Sequence, residues 1–240
     1  MPLRVGCCVP GSATVRPRKR MRSVLIPTLW LISTAAYPAE STPITDFRYE
    51  PRLDDACLAT NGWPVKPEWS RELRDRIPDF RDMWESVGPP MAKAVNEITN
   101  KPFLLPRTVN LTLCNKPSNS FFGVTVNMRY ALRSFTATPV SLRYKVDTAF
   151  HEALHEFVAR HTPRESGLLE RHKSESFCVR NHLHLLALQK AVLLSLNDFG
   201  ALDQVVANDS QLPSGCYKQA WQLLNSSPST YQEYLAELSQ

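Results

Sequence analysis

The segment KVDTAFHEALHEFVAR, residues 145–160, constrains the fold of this chain more than any other stretch. Apolar side chains recur in it three and four residues apart, at Val146, Ala149, Phe150, Ala153, Leu154, Phe157 and Val158. This period predicts an amphipathic helix that packs one face against a core. Residues four apart on a helix project from the same side, so we expect His151 and His155 to lie next to each other.

Two imidazoles at this spacing can bind one metal ion. Glu152 follows His151 by about 100° around the helix axis, which places its carboxylate beside the metal and not on it. Zinc lowers the pKa of a bound water toward about 7, and a neighbouring carboxylate can then accept the proton and pass it to a leaving amine. The spacing His-Glu-x-x-His therefore predicts metal-assisted hydrolysis with Glu152 as general base.

The motif HEALH, on its predicted helix, resembles the zincin superfamily of metallopeptidases over about residues 146–196. The resemblance implies one Zn²⁺ per chain bound by His151 and His155, with Glu152 as the general base. It also implies that a part of the chain containing strands precedes the helix and that a later residue completes the zinc site. Glu156 departs from the extended zincin pattern, which usually has an uncharged residue at this position.

The third zinc ligand distinguishes the zincin branches. His161 has the spacing of the metzincin motif, but Val158 replaces the glycine of that motif and no methionine follows Met128. Glu175, twenty residues after His155, resembles the gluzincin arrangement and is the preferred third ligand. His182 is the alternative, because it lies seven residues later on the same stripe of a predicted helix. If Glu175 is the ligand, His182 is expected to donate a hydrogen bond, either to a zinc ligand that it orients or to the oxyanion that it stabilises.

The first 39 residues have the composition of a targeting segment. They contain six Lys and Arg residues and no acid, and the apolar run VLIPTLWLISTAA leads to small residues at Ala36 and Ala39. This pattern predicts a Sec-type signal peptide with its true start at Met21, and thus an exported, periplasmic or secreted protein. The run of about 13 apolar residues is short of the roughly 20 that span a bilayer, so no stable membrane anchor is expected after cleavage.

The charge balance excludes several classes of partner. Six of the 28 Lys and Arg residues precede Ala36, so 22 remain against 23 Asp and Glu. A chain with neither a basic surplus nor a basic stripe is not expected to bind nucleic acid or an anionic membrane surface. The expected partner is a peptide or protein substrate.

Four cysteines follow the predicted leader: Cys57, Cys114, Cys178 and Cys216. An even number in an exported chain predicts two disulfides, and three pairings are possible. A bond between Cys178 and Cys216 is expected over a metal-ligand role for Cys178, because the compartment is oxidising.

Hydrophobic patterns outline the remaining elements. Residues 39–67 are predicted to be an extended lead-in, followed by helical segments from Pro67 that end at Pro89 and Pro90. Strand-like runs at 108–114 and 122–131 are predicted to form a hairpin. A second long helix is expected from about 174 to 196, with two or three shorter helices after it.

Together these features predict a helix-rich α+β fold, with residues 40–240 forming a single zincin-like domain whose small sheet precedes the HExxH helix. The predicted function is zinc-dependent hydrolysis of peptide bonds in an exported protein or peptide. Two alternatives stay open: a non-catalytic exported zinc-binding or accessory protein, and a cell-wall amidase that uses the same groups. The presence of Glu152 argues against the first, since a purely structural zinc site needs no base.

Overall fold

Eight α-helices and three short strands make up residues 44–240, the part of the chain that this computed structural model describes. The predicted helix-rich α+β class is confirmed. The predicted signal peptide, the start at Met21 and the cleavage sites at Ala36 and Ala39 lie outside the described residues. Within residues 44–240, no helix combines the length and apolarity that crossing a bilayer requires.

The strands are β1 (Asp46–Tyr49), β2 (Thr108–Thr112) and β3 (Val124–Asn127), which pair in this order. The helices are α1 (Pro51–Asn61), α2 (Pro67–Thr99), α3 (Leu142–His161), α4 (Gly167–Arg171), α5 (Phe177–Ser195), α6 (Phe199–Asp209), α7 (Cys216–Leu224) and α8 (Thr230–Leu238). The last three confirm the short helices predicted after residue 198. The extended lead-in is wrong in part, because β1 and α1 form within it.

Helix α2 is continuous over 33 residues, so the predicted break at Pro89 and Pro90 is wrong. Each proline inside a helix costs about 3 kcal/mol through a lost hydrogen bond and a steric clash. The opposing contribution comes from an apolar stripe that runs the length of the helix, and each of its buried side chains contributes about 1.5–3 kcal/mol. This stripe comprises Trp69, Leu73, Phe80, Trp84, Met91 and Val95. Burial of this stripe opposes the cost of the prolines.

The predicted hairpin is also wrong, since β2 and β3 run parallel, with Val109 opposite Val124. A parallel pair requires the chain to return to the start of β2 before β3 begins. The segment 113–123 makes this return: Cys114 is bonded to Cys57, and Asn119 then pairs with Thr125 in an antiparallel bridge. The polar turn that suggested a hairpin is therefore part of a crossover.

Helix α3 lies at the centre of the fold and contacts α2, β3, α5 and α6. It begins after Ser141, whose side chain accepts a hydrogen bond from the backbone N–H of Tyr144. Its side chains at Val146, Phe150 and Leu154 are fully buried. The predicted amphipathic helix is thus present, and its apolar face packs against the core.

Two disulfides are present, as predicted. Cys57–Cys114 joins α1 to the end of β2, and Cys178–Cys216 joins the first turns of α5 and α7. The second pairing is the one expected from the sequence.

Candidate metal centre

Three histidines from two helices converge beside the core. His151 and His155 project from α3, and His182 projects from α5. The ring centroids are 5.0 Å apart for His151 and His155, 5.5 Å for His151 and His182, and 5.2 Å for His155 and His182. One ring nitrogen from each lies within 4.8 Å of the others, so together they could hold one metal ion.

Hydrogen bonds at the outer nitrogens orient two of the rings. Nδ1 of His151 lies 3.1 Å from Oε1 of Gln189, and Nδ1 of His182 lies 2.6 Å from the carbonyl oxygen of Cys178. Since both partners are acceptors, each Nδ1 carries the proton and each Nε2 is unprotonated. This is the tautomer in which metal-binding histidines are usually held.

The Nε2 atom of His182 is buried and has no hydrogen-bond partner among the described residues. A buried polar atom without a partner is costly, and a metal ion bound at this nitrogen would remove that cost. Burial also lowers the pKa of all three imidazoles, that of His155 to about 4. The histidines are therefore neutral, as metal ligands must be, and the donor set fits Zn²⁺.

Glu175, the third ligand preferred on sequence grounds, does not join this cluster. It precedes Ser176, the N-cap of α5, and its Oε2 accepts a hydrogen bond of 2.5 Å from Gln219. The expected stripe from Glu175 to His182 requires both residues to be helical, and the helix begins only at Phe177. Glu175, the ligand preferred from the sequence, therefore lies outside the histidine cluster, and His182, the alternative, lies within it.

Cysteine ligands do not complete the site either. Cys178 and Cys216 lie close to His182, but their sulfurs are joined in a disulfide. A disulfide sulfur lacks the thiolate charge that makes cysteine a strong metal ligand. The cysteines therefore brace the site from outside.

Glu152 is 4 % exposed, and its side chain borders a cavity of about 570 Å³ that also reaches His151. Its Oε2 lies 3.8 Å from Nε2 of His155. Burial raises the pKa of this carboxyl to about 8. A divalent cation on the three histidines would lower that pKa again by direct attraction, which favours the basic form.

Tyr217 of α7 was not predicted as a site residue. Its hydroxyl lies 3.5 Å from Nε2 of His151, and its ring centroid lies 4.4 Å from that of His182. Burial raises the pKa of this hydroxyl, so it keeps its proton and can donate. One signal in the sequence pointed to it: Tyr217 follows Cys216, and the expected bond to Cys178 brings it within one helical turn of His182.

Gln189 was not predicted as a site residue either. It is 1 % exposed, and besides contacting His151 its Nε2 lies 3.4 Å from the carbonyl oxygen of Asp147. Gln189 follows His182 by seven positions, so the two residues lie on the same face of α5. Contacts of Asp147 and His151 with Gln189, and of His155 with His182, show that α3 and α5 run antiparallel.

No protein-family model matches this chain, and comparisons with curated proteins and with solved structures also find no match. The function is therefore inferred from the arrangement of the three histidines, Glu152 and Tyr217.

Proposed function

We propose that this protein is a zinc-dependent hydrolase that cleaves peptide bonds in an exported protein or peptide. One observation carries the proposal. Three neutral imidazoles converge within 4.8 Å, and a buried carboxylate from the same helix as two of them borders the adjoining cavity. This combination supplies both a metal-binding set and a base next to space for a substrate.

Zinc is the proposed ion because three protein ligands with one open position are typical of its catalytic sites. His151, His155 and His182 would hold it, at one ion per chain. When bound, it would polarise the substrate carbonyl and make water more acidic.

The side chains of this protein would then handle the protons. Glu152 accepts a proton from the attacking water as the water oxygen bonds to the carbonyl carbon. Glu152 passes that proton to the amide nitrogen, and the C–N bond breaks to give an acid and an amine. The Tyr217 hydroxyl donates a hydrogen bond to the substrate carbonyl oxygen, which becomes negatively charged after the water adds and before the C–N bond breaks.

A purely structural zinc site is the main competing function. Such a site would not need a carboxylate facing a cavity, and Glu152 has no hydrogen bond to any other described side chain that would give it a structural role. The two disulfides support export, since such bonds persist in oxidising compartments. Whether the amide belongs to a protein or to a cell-wall peptide changes the substrate and not the catalytic groups.

The test combines metal analysis with a single substitution. Purified protein should contain about one zinc per chain, and Glu152→Gln should retain it while losing at least about 10²-fold in hydrolysis of a proteome-derived peptide mixture. Glu156→Gln is the matched control, because Glu156 lies on the same helix but is exposed and paired with Arg160.

The Glu156→Gln protein should hydrolyse the peptide mixture as fast as the unsubstituted protein. Equal cleavage by the Glu152→Gln protein, or a preparation free of metal without prior chelation, would refute the proposed mechanism.

A further inference from the structure

A buried lysine borders the same cavity as Glu152. Lys145 lies on α3, is only 6 % exposed, and lines the cavity together with Tyr130 and Thr148. Burying an ammonium group is costly unless an acceptor or an opposite charge compensates it.

Among residues 44–240, no hydrogen-bond acceptor or carboxylate pairs with the Lys145 ammonium. Its Nζ lies over the ring of Tyr144, 5.6 Å from the centroid. Burial alone accounts for the lowered pKa of this lysine, about 8, at which it is still mainly charged at neutral pH.

The acidic side chains that line the cavity are Asp147, Glu152 and Asp209. Asp147 is hydrogen-bonded by Arg143, and Asp209 accepts hydrogen bonds from the Tyr144 hydroxyl and the Trp221 indole. No hydrogen bond or ion pair joins any of these three carboxyl groups to Lys145. Among the described residues, the Lys145 ammonium thus faces the cavity without a bonded counter-ion.

The position of that charge relative to the base follows from helix geometry. Thr148 and Glu152 follow Lys145 by three and seven residues, so the three side chains share one face of α3. Seven residues correspond to a rise of about 10 Å along the axis. An extended peptide spans about 3.3–3.6 Å per residue, so about three residues bridge the two groups.

We propose that Lys145 binds a carboxylate of the substrate, located about three residues from the bond that is cleaved. The assignment rests on the proposed hydrolysis at Glu152, and it adds a substrate class: short or acidic peptides whose carboxylate enters the cavity. A single ammonium matches the single charge of a carboxylate, whereas a phosphate dianion would keep an unpaired charge, because no second Lys or Arg of the described residues lines the cavity.

The experiment measures binding, so that it does not depend on turnover. Zinc-loaded Glu152→Gln protein is equilibrated with N-acetylated tetrapeptide mixtures, and the bound fraction is determined by mass spectrometry. One mixture lacks Asp and Glu and has a free C-terminal carboxylate, a second is the same mixture amidated, and a third is amidated with one internal Glu. Comparing the first and third mixtures shows whether Lys145 binds a C-terminal or a side-chain carboxylate.

At least one of the two mixtures that carry a carboxylate should bind about tenfold or more tightly than the amidated mixture that lacks Asp and Glu. Adding Lys145→Met should remove this preference, Lys145→Arg should retain it, and the exposed control Lys93→Met should leave it unchanged. Zinc content is measured for each variant to verify that the site is intact.

Equal binding of all three mixtures, or a carboxylate preference that survives Lys145→Met, would overturn the assignment. Should the carboxylate preference hold while protein with an intact Glu152 hydrolyses none of the mixtures, the anion site stands and the proposed hydrolysis fails.

Discussion

Replacing Lys145 by methionine should stabilise the folded protein. The substitution keeps an unbranched side chain of similar length and removes a buried charge that has no acidic partner among the described residues. Burial lowers the pKa of Lys145 from 10.5 to about 8. At about 1.4 kcal/mol for each tenfold change in proton affinity, the charged lysine costs the folded state about 3 kcal/mol at neutral pH.

The pH dependence gives a sharper test than the magnitude. The pKa of this lysine is lower in the folded than in the unfolded chain, so its full cost applies below pH 8 and is relieved as the pH rises from about 8 to 10.5. The advantage of the Lys145→Met protein should fall from about 3 kcal/mol at about pH 6.5 to about 1.5 kcal/mol at about pH 9.5.

Urea unfolding of metal-free protein with intact disulfides, at both pH values, measures this difference. The exposed Lys93→Met should change the free energy of unfolding by less than about 0.5 kcal/mol at either pH. If Lys145→Met destabilises the protein, or stabilises it equally at both pH values, the ammonium has a partner in the folded state and the reasoning is wrong.

Three further predictions concern the metal centre. His182→Ala should lose zinc while Glu175→Ala retains it, as measured by metal analysis after dialysis; the opposite result would restore the carboxylate ligand. Tyr217→Phe should keep zinc and lower hydrolysis by about 10²-fold, and unchanged turnover would exclude a role for its hydroxyl in stabilising the oxyanion. In metal-free protein the contribution of His155 to stability should fall by about 3 kcal/mol between about pH 6.5 and 4, because its pKa is lowered to about 4 and the unfolded chain binds this proton first. Urea unfolding of the unsubstituted and His155→Gln proteins at both pH values isolates this contribution from that of the buried carboxyl groups, whose raised pKa values act in the opposite direction. A difference between the two proteins that stays constant across that range would contradict the burial of this imidazole.

Features that depend on local periodicity could be predicted from the sequence. The period of three and four residues in 145–160 identified α3 and its buried face, and the spacing of four placed His151 and His155 on one side of it. The disulfide Cys178–Cys216 was also expected. Helix geometry sets the neighbours within α3, and redox chemistry predicts that disulfides form, whereas the choice among the three possible pairings is decided by the fold.

Helix α2 shows where local rules fail. The prolines at 89 and 90 indicated a break, but the free energy of burying Phe80, Trp84 and Met91 belongs to the tertiary structure. Likewise, the polar segment between β2 and β3 is compatible with a tight turn or a crossover, and packing of the strands decided between them.

The sequence by itself determined which helix carries the two histidines and the carboxylate of the candidate site. Only the tertiary structure decided that His182, and not Glu175, meets them, and that Tyr217 and Gln189 lie beside them. The physical reason is that helix periodicity relates residues within one helix, whereas contacts between α3, α5 and α7 depend on where each helix begins and how the helices pack. A start of α5 at Phe177 leaves Glu175 outside the helix, and the antiparallel packing of α3 and α5 sets His182 level with His151 and His155.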